Sequence, residues 1–371
     1  MAKVFGWGAL ASAAVALVVA ACSGGVVPSP PSRPPSAIVT VPLPMVQPLP
    51  KTSAAPRGLK QDIDRLVGNF PGKAGVAIRA VDEGWTVQSG GMLSLPQQSV
   101  SKLWVAMTVL WKRDQGLLKL DDPVSVTAAD LTLFHQPVAV LVKGDGYHTT
   151  VSDLMFRALT MSDNTCNDRL LTLVGGPQAV RAFIAEKQLG AIRFGPGERL
   201  LQSGTAGVTW NQSMSLGRGF EAARAKLPMS VREAALERYI DSPPDGAAPL
   251  AIADALSRLA RGELLTETST RMLLDTMGMS RTGRARLKAA TPAGWKLAHK
   301  TGTGQELGRH NAGFNDVGLL TAPDGRRYAI AVMIGDTYAP MRTRQQLIQN
   351  AAAALTGARA DSSATENAEE G

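Results

Sequence analysis

The chain has 371 residues, 44% hydrophobic and 19% charged, enough for one large or two small packed domains. Its formal net charge of +8 is spread along the chain, with no long run of one sign and few aromatics interleaved with arginine. That pattern argues against a nucleic-acid-binding surface and fits a mild attraction to anionic envelope surfaces or carboxylate ligands.

Met1 to Cys22 reads as an export signal: Lys3 is the only charge, and the apolar run that follows ends in small residues at a cysteine. The run is short for a spanning helix. "VAAC", Val19 to Cys22, resembles a bacterial lipobox, in which the cysteine is lipidated and becomes the first mature residue. The only other cysteine is Cys166, so no internal disulfide is expected, and Cys166 reads as a small buried packing residue. Residues 23–57 are rich in proline, which blocks helices and sheet ladders. They read as an extended tether reaching up to roughly 100 Å. Residues 58–355 are the expected packed domain, and residues 356–371 read as a disordered tail.

Within the packed region, "GLKQDIDRLVGNF" puts Leu59, Ile63, Leu66 and Val67 on one helical face. "AGVAIRAVDEGWTVQSG" reads as two strands around Asp82-Glu83-Gly84. A mostly helical middle follows. "VGLLTAPDGRRYAIAVMIG" is a second hairpin turning at Pro323, Asp324 and Gly325, and "RTRQQLIQNAAAAL" is a closing helix. Strands at both ends with helices between them predict an α/β fold. Its antiparallel sheet is built from both ends of the domain and flanked by terminal helices, with an inserted all-α lobe.

Three short motifs carry chemistry. In "LPQQSVSKLWVAMTVLWK", Ser99 and Lys102 sit at i and i+3 where an apolar helix begins. On a helix they share a face, and a desolvated lysine beside a hydroxyl can act as its base. Alone the pair is weak, since Ser-x-x-Lys arises by chance about once in a chain of this kind. "SDN", Ser162 to Asn164, falls on a corner between two helix patterns, where capping alone could explain all three residues. "HKTGTG", His299 to Gly304, reads as a strand whose edge carries Lys300 and Thr301, with glycines that let a ligand approach the backbone. The order Ser-x-x-Lys, Ser-Asp-Asn, Lys-Thr-Gly is the signature of class A β-lactamases and penicillin-binding proteins.

With "DLTLFHQP", "SDNTCNDRLLTLVGGPQAVRAFI", "LARGELLTETSTRMLLDTM" and "TPAGWKLAHKTGTG", the sequence resembles class A serine β-lactamases over most of the packed region. The resemblance implies the β-lactamase/transpeptidase fold and hydrolysis of the β-lactam amide through a serine acyl-enzyme. Ser99 would be the nucleophile, and Lys102 with Ser162 would move the proton from Ser99 to the ring nitrogen. Asn164 would bind the substrate's amide side chain, and Lys300 and Thr301 its carboxylate. The backbone N–H groups of Ser99 and Thr303 would form the oxyanion hole. Arg286, in "TGRARLKAA", is either a second cation for the carboxylate or a solvated arginine.

For deacylation the resemblance implies a glutamate after Ser-Asp-Asn, and "FGPGERLLQSGTAG" offers Glu198. The family pattern has asparagine four residues further on, where this chain has Gln202, so efficient deacylation is in question. The long segment after Gln202 reads as an added helical piece beside the site. His135, His148, His299 and His310 lack paired metal-ligand spacing, so neither a metal nor another cofactor is expected; His299 alternates away from Lys300 and reads as packing. The expected partners are a small β-lactam and, through the lipid on Cys22, a membrane. The expected form is a monomer on the periplasmic side of the bacterial envelope. Two alternatives keep the same serine: a D-alanyl-D-alanine peptidase or slowly deacylating penicillin-binding protein, and a non-hydrolytic envelope protein.

Overall fold

The computed structural model describes residues 53–369, with side-chain surroundings given for residues 53–357. Cys22 and the lipobox lie outside the described residues. Five long strands form the main sheet: β1 (Gly72–Ala80), β2 (Thr86–Ser89), β3 (Lys296–Thr303), β4 (Phe314–Thr321) and β5 (Arg327–Thr337). They are antiparallel in the order β2-β1-β5-β4-β3, and the short strands Glu306–Leu307 and His310–Asn311 extend the sheet. The first and last parts of the domain therefore meet as neighbouring strands, as the positions of the two hairpins predict.

Side-chain alternation sorts the strand residues into two cores. On one face Val76, Ile78, Tyr328, Ile330, Val332 and Ile334 pack against helix α1 (Leu59–Gly68) and the closing helix. On the other, Ala77, Ala329, Ala331 and Met333 meet the helical lobe. Both faces are covered, so these strands are almost wholly apolar and few polar outward positions break the run.

The lobe is built around α2 (Lys102–Asp114), in which Leu103, Trp104, Val105, Ala106, Met107, Val109 and Leu110 are all buried. A helix apolar on every side belongs at the centre of a bundle. Around it lie α3 (Val151–Thr160), α4 (Asn164–Leu173) and α5 (Gly176–Glu186). Thr150 caps α3 by accepting from the Asp153 N–H, the bond expected at that spacing. A short α6 (Glu198–Thr205) follows, then the added segment with α7 (Gly219–Ala225) and α8 (Met229–Asp241). Next, α9 (Pro249–Ala260) packs across β1 and β5, and α10 (Glu267–Gly278) leads back to β3.

The closing helix, α11 (Met341–Glu369), runs past the domain end expected from sequence. Residues 356–369, read from sequence as an unstructured tail, continue the helix, in keeping with the helix propensity of alanine, arginine and glutamate. Leu355 is the last apolar residue described as buried.

Candidate active site

Three elements converge between the sheet and the lobe. Ser99 lies in a 3-10 turn, Gln98–Ser101, that runs directly into α2, so the serine precedes the α-helix proper. The turn is pinned from both sides. Asn315 of β4 donates to the carbonyls of Pro96 (2.8 Å) and Gln97 (3.0 Å), and the Gln98 N–H donates to Asp245 (2.7 Å). At Gly302 of β3, any Cβ would collide with the Gln97 carbonyl, so glycine lets the strand lie flat against the nucleophile turn.

Lys102 is 1% exposed and its three ammonium protons have three acceptors. These are Ser99 Oγ at 2.9 Å, Asn164 Oδ1 at 2.9 Å and the Glu198 carboxylate, itself only 3% exposed. A buried lysine answered by one carboxylate and two neutral oxygens is both neutralised and fully hydrogen-bonded, the condition for keeping the pair out of water. Glu198 begins α6, whose first amides are capped by Asp168 Oδ1 and Oδ2. Gln202, one turn on, donates to Glu198 Oε2 (3.3 Å) and Gln98 Oε1 (3.1 Å), while its own oxygens accept from Gln305. The longer glutamine thus closes a continuous polar wall below Ser99.

In the Ser-Asp-Asn corner, the three side chains divide the work. Asp163 is the structural member: it caps α4 through the Cys166 N–H and accepts from the Val138 N–H. Ser162 takes a left-handed backbone, φ 59°, which turns its hydroxyl toward the sheet. Asn164 accepts at Oδ1 from Lys102 and donates from Nδ2 to the Leu133 carbonyl, and the residue lines the cleft. Cys166 is free and buried, and burial pushes its thiol up, beyond any reactive range.

Across the cleft, Lys300 is wholly buried and donates to Ser162 Oγ at 2.8 Å, behind the cleft wall. Burial, then the charge of Lys102, hold its ammonium well below the usual lysine range. On this edge the cleft is lined by Thr301, itself largely buried, and by the exposed Thr303. Thr301 Oγ1 meets Thr282 Oγ1 at 2.8 Å, and Thr303 Oγ1 accepts from Arg286 at 2.5 Å. Arg286 is no solvated arginine. It is buried, stacks over Phe314 at 3.7 Å, and donates to the Gly302 and Asn315 carbonyls. Burial brings its guanidinium down to about 10, still charged at neutral pH. His299 sits inside, its Nδ1 2.8 Å from Asp316.

The cleft between these groups has a volume of about 460 Å³, and its wall includes Ser99, Ser162, Asn164, Gln202, Thr301 and Thr303. Of the site residues expected from sequence after Cys22, Ser99, Ser162, Asn164, Arg286, Thr301 and Thr303 line it, and Lys102, Glu198 and Lys300 are hydrogen-bonded to its lining residues. Sequence reasoning missed Gln98, Tyr239 and Asp245. Gln98 has φ 54° and is clamped by Tyr239 Oη (2.7 Å), Ala312 O (3.1 Å) and Gln202. Tyr239 comes from the added segment and also donates to Asp245. The doubled glutamine before the nucleophile was visible, but nothing local marks its distant partners.

The antiparallel sheet, the helical lobe and the serine–lysine cleft between them define a serine-reactive protein of β-lactamase architecture. A model of the beta-lactamase enzyme family matches residues 58–358, and the chain belongs to that family. It is 30% identical over 303 residues to the extended-spectrum beta-lactamase PER-1 of Pseudomonas aeruginosa, covering 81% of this chain and 87% of that one. Among solved structures, a beta-lactamase from Chitinophaga pinensis DSM 2588 superposes with a TM-score of 0.67 at 25% identity, covering 81% of this chain and 99% of that one. A variant of the last common ancestor of Gram-negative class A beta-lactamases gives 0.65 at 26% identity, covering 82% and 98%.

Asp245 gives the site a pH signature. Buried and without a cation, its carboxyl is pushed up to about 6, mainly by burial, although it accepts from Gln98 and Tyr239. A raised carboxyl binds its proton more tightly when folded, so its contribution is full below about pH 4 and is lost as pH rises through about 6. Asp168 is likewise buried and raised to about 6, so urea unfolding across that window should show a decline that is smaller by about 1–3 kcal/mol in Asp245→Asn than in the parent. Equal slopes in both chains would assign the decline elsewhere.

Proposed function

We propose that the chain hydrolyses β-lactams through an acyl-enzyme on Ser99. Transfer of one Lys102 proton to Glu198 leaves an amine lone pair facing Ser99 Oγ. The amine takes the hydroxyl proton as Oγ attacks the lactam carbonyl, and the backbone N–H groups of Ser99 and Thr303 receive the developing oxyanion. The C–N bond then breaks, and Ser162, hydrogen-bonded to Lys300, gives its hydroxyl proton to the departing nitrogen and takes in its place the one that Lys102 received from Ser99. The substrate carboxylate lies at Thr301, Thr303 and Arg286, with Lys300 adding positive potential from behind Ser162. The acylamino group lies along Asn164.

One observation carries the hydrolytic reading: a buried carboxylate, Glu198, shares a lysine with the nucleophile and stands beside a fixed amide, Gln202. Once the proton on Glu198 has returned to Lys102, a water held between Glu198, Gln202 and the ester can lose its proton to Glu198 as it attacks; Ser99 Oγ leaves with a proton from Lys102, which Glu198 then replaces. All the groups invoked come from one chain, which supports a monomeric enzyme. The lipobox-like Val19–Cys22 and the proline-rich residues 23–57 support a tethered catalytic domain on the periplasmic side of the envelope.

Glu198→Gln should still acylate and should deacylate about 10²–10⁴-fold more slowly. Intact-mass spectrometry with benzylpenicillin should then find the protein heavier by one whole penicillin, since ring opening expels nothing. The parent chain should turn over a chromogenic cephalosporin steadily without such an adduct. A persistent adduct on the parent would instead mark a slowly deacylating binding protein. For the tether, Cys22→Ser should move the chain from the membrane to the soluble fraction; unchanged partitioning would refute lipid anchoring.

A further inference from the structure

The added segment reaches the catalytic cleft. Its helix α7 carries Phe220 and Arg224 four residues apart, on one face. Phe220 meets Phe134 edge to face, with ring centroids 4.9 Å apart, and Phe134 is 45% exposed with φ 61° at the cleft wall. Arg224 lines the same cleft as Gln202, Thr301, Thr303, Gln305 and Glu306.

Among the described residues, no carboxylate forms an ion pair with Arg224. Its Nη2 donates to the Glu306 carbonyl at 2.8 Å, and its Nε is buried without an acceptor. The carboxylate of Glu306, whose carbonyl Arg224 bonds, is taken by Arg344 at 2.6 Å, and Glu221 acts on Arg224 without forming an ion pair with it. Arg232 of α8 faces the same seam, and its Nε is likewise buried without a partner. Burial, then the charge of Arg232, lower the hold of Arg224 on its proton, and Glu221 opposes them. A cation on the cleft wall, short of acceptors and bordered by a second cation in a small adjoining cavity, makes a place for an anion.

We propose that Arg224 is a specificity-determining residue that binds an anionic group on the acyl side chain of the substrate, with Phe134 and Phe220 covering the apolar part of that side chain. The inference rests on the hydrolytic reading above. With the lactam carbonyl at Ser99, the ring carboxylate at Thr301 and Arg286 and the acylamino group at Asn164, the acyl substituent extends toward Gln202, Gln305 and Arg224. The added segment thereby selects among β-lactams by side-chain charge, whereas the groups around Ser99 treat the shared ring alike.

Carbenicillin and benzylpenicillin test this directly, since they differ by one carboxylate on the benzyl side chain. In Arg224→Met, the ratio of kcat/KM for carbenicillin to that for benzylpenicillin should fall about fivefold, through KM. Arg224→Lys should keep most of the ratio. In the parent chain the same ratio should fall as salt is raised, because only one substrate carries the extra charge; this measurement decides the matter if Arg224→Met fails to fold. A ratio within twofold of the parent in Arg224→Met, or one insensitive to salt in the parent, overturns the role while leaving hydrolysis intact. A parent chain that hydrolyses neither penicillin overturns both readings.

Discussion

The burial of Lys102 constrains the rest of the site. An ammonium removed from water needs a counter-charge and acceptors for all its protons, or the fold loses several kcal/mol. Here the counter-charge comes from Glu198, and the acceptors from Ser99 and Asn164. These residues belong to three separate elements: the turn before α2, the start of α4 and the start of α6. Satisfying one lysine therefore fixes the nucleophile, the amide-binding asparagine and the deacylating carboxylate relative to one another. Lys300 plays a parallel part on the sheet side, tying β3 to Ser162.

Positioning groups this closely has a conformational cost, visible in the backbone. Gln98, Ser162 and Phe134 all have positive φ without being glycine; Ser162 and Phe134 line the cleft, and Gln98 is buried immediately before the nucleophile. Each such residue costs about 1–3 kcal/mol unless its surroundings hold it. Gln98 is held by Asp245, Tyr239, Ala312 and Gln202, and Ser162 by Lys300. The added segment is thus part of the catalytic architecture. Tyr239 of α8 braces the residue before the nucleophile, and Arg224 of α7 lines the cleft mouth.

Legibility in the sequence followed the range of the interaction. Ser99 and Lys102 are a local pair whose geometry a helix dictates, and Thr150 capping α3 is a local rule too. The sheet was legible because apolar runs with turn residues mark hairpins, and their positions at both ends imply their pairing. Lys300 was placed on the correct strand, but its facing of Ser162 from behind the wall depends on how the sheet meets the lobe. Asp168 capping α6, Asp245 receiving the Gln98 amide and Arg286 stacking on Phe314 join residues far apart in sequence. No periodicity or spacing encodes such meetings; only the packed chain brings them about.

The account stands on the amine of Lys102 as the base that readies Ser99. Its most direct test is the single-turnover rate of Ser99 acylation by a chromogenic cephalosporin in Lys102→Ala, using protein whose near-ultraviolet circular dichroism matches the parent. Acylation should slow by about 10²–10⁴-fold while the dissociation constant of the initial complex changes little. Acylation within a few-fold of the parent rate would show that the hydroxyl is activated from elsewhere.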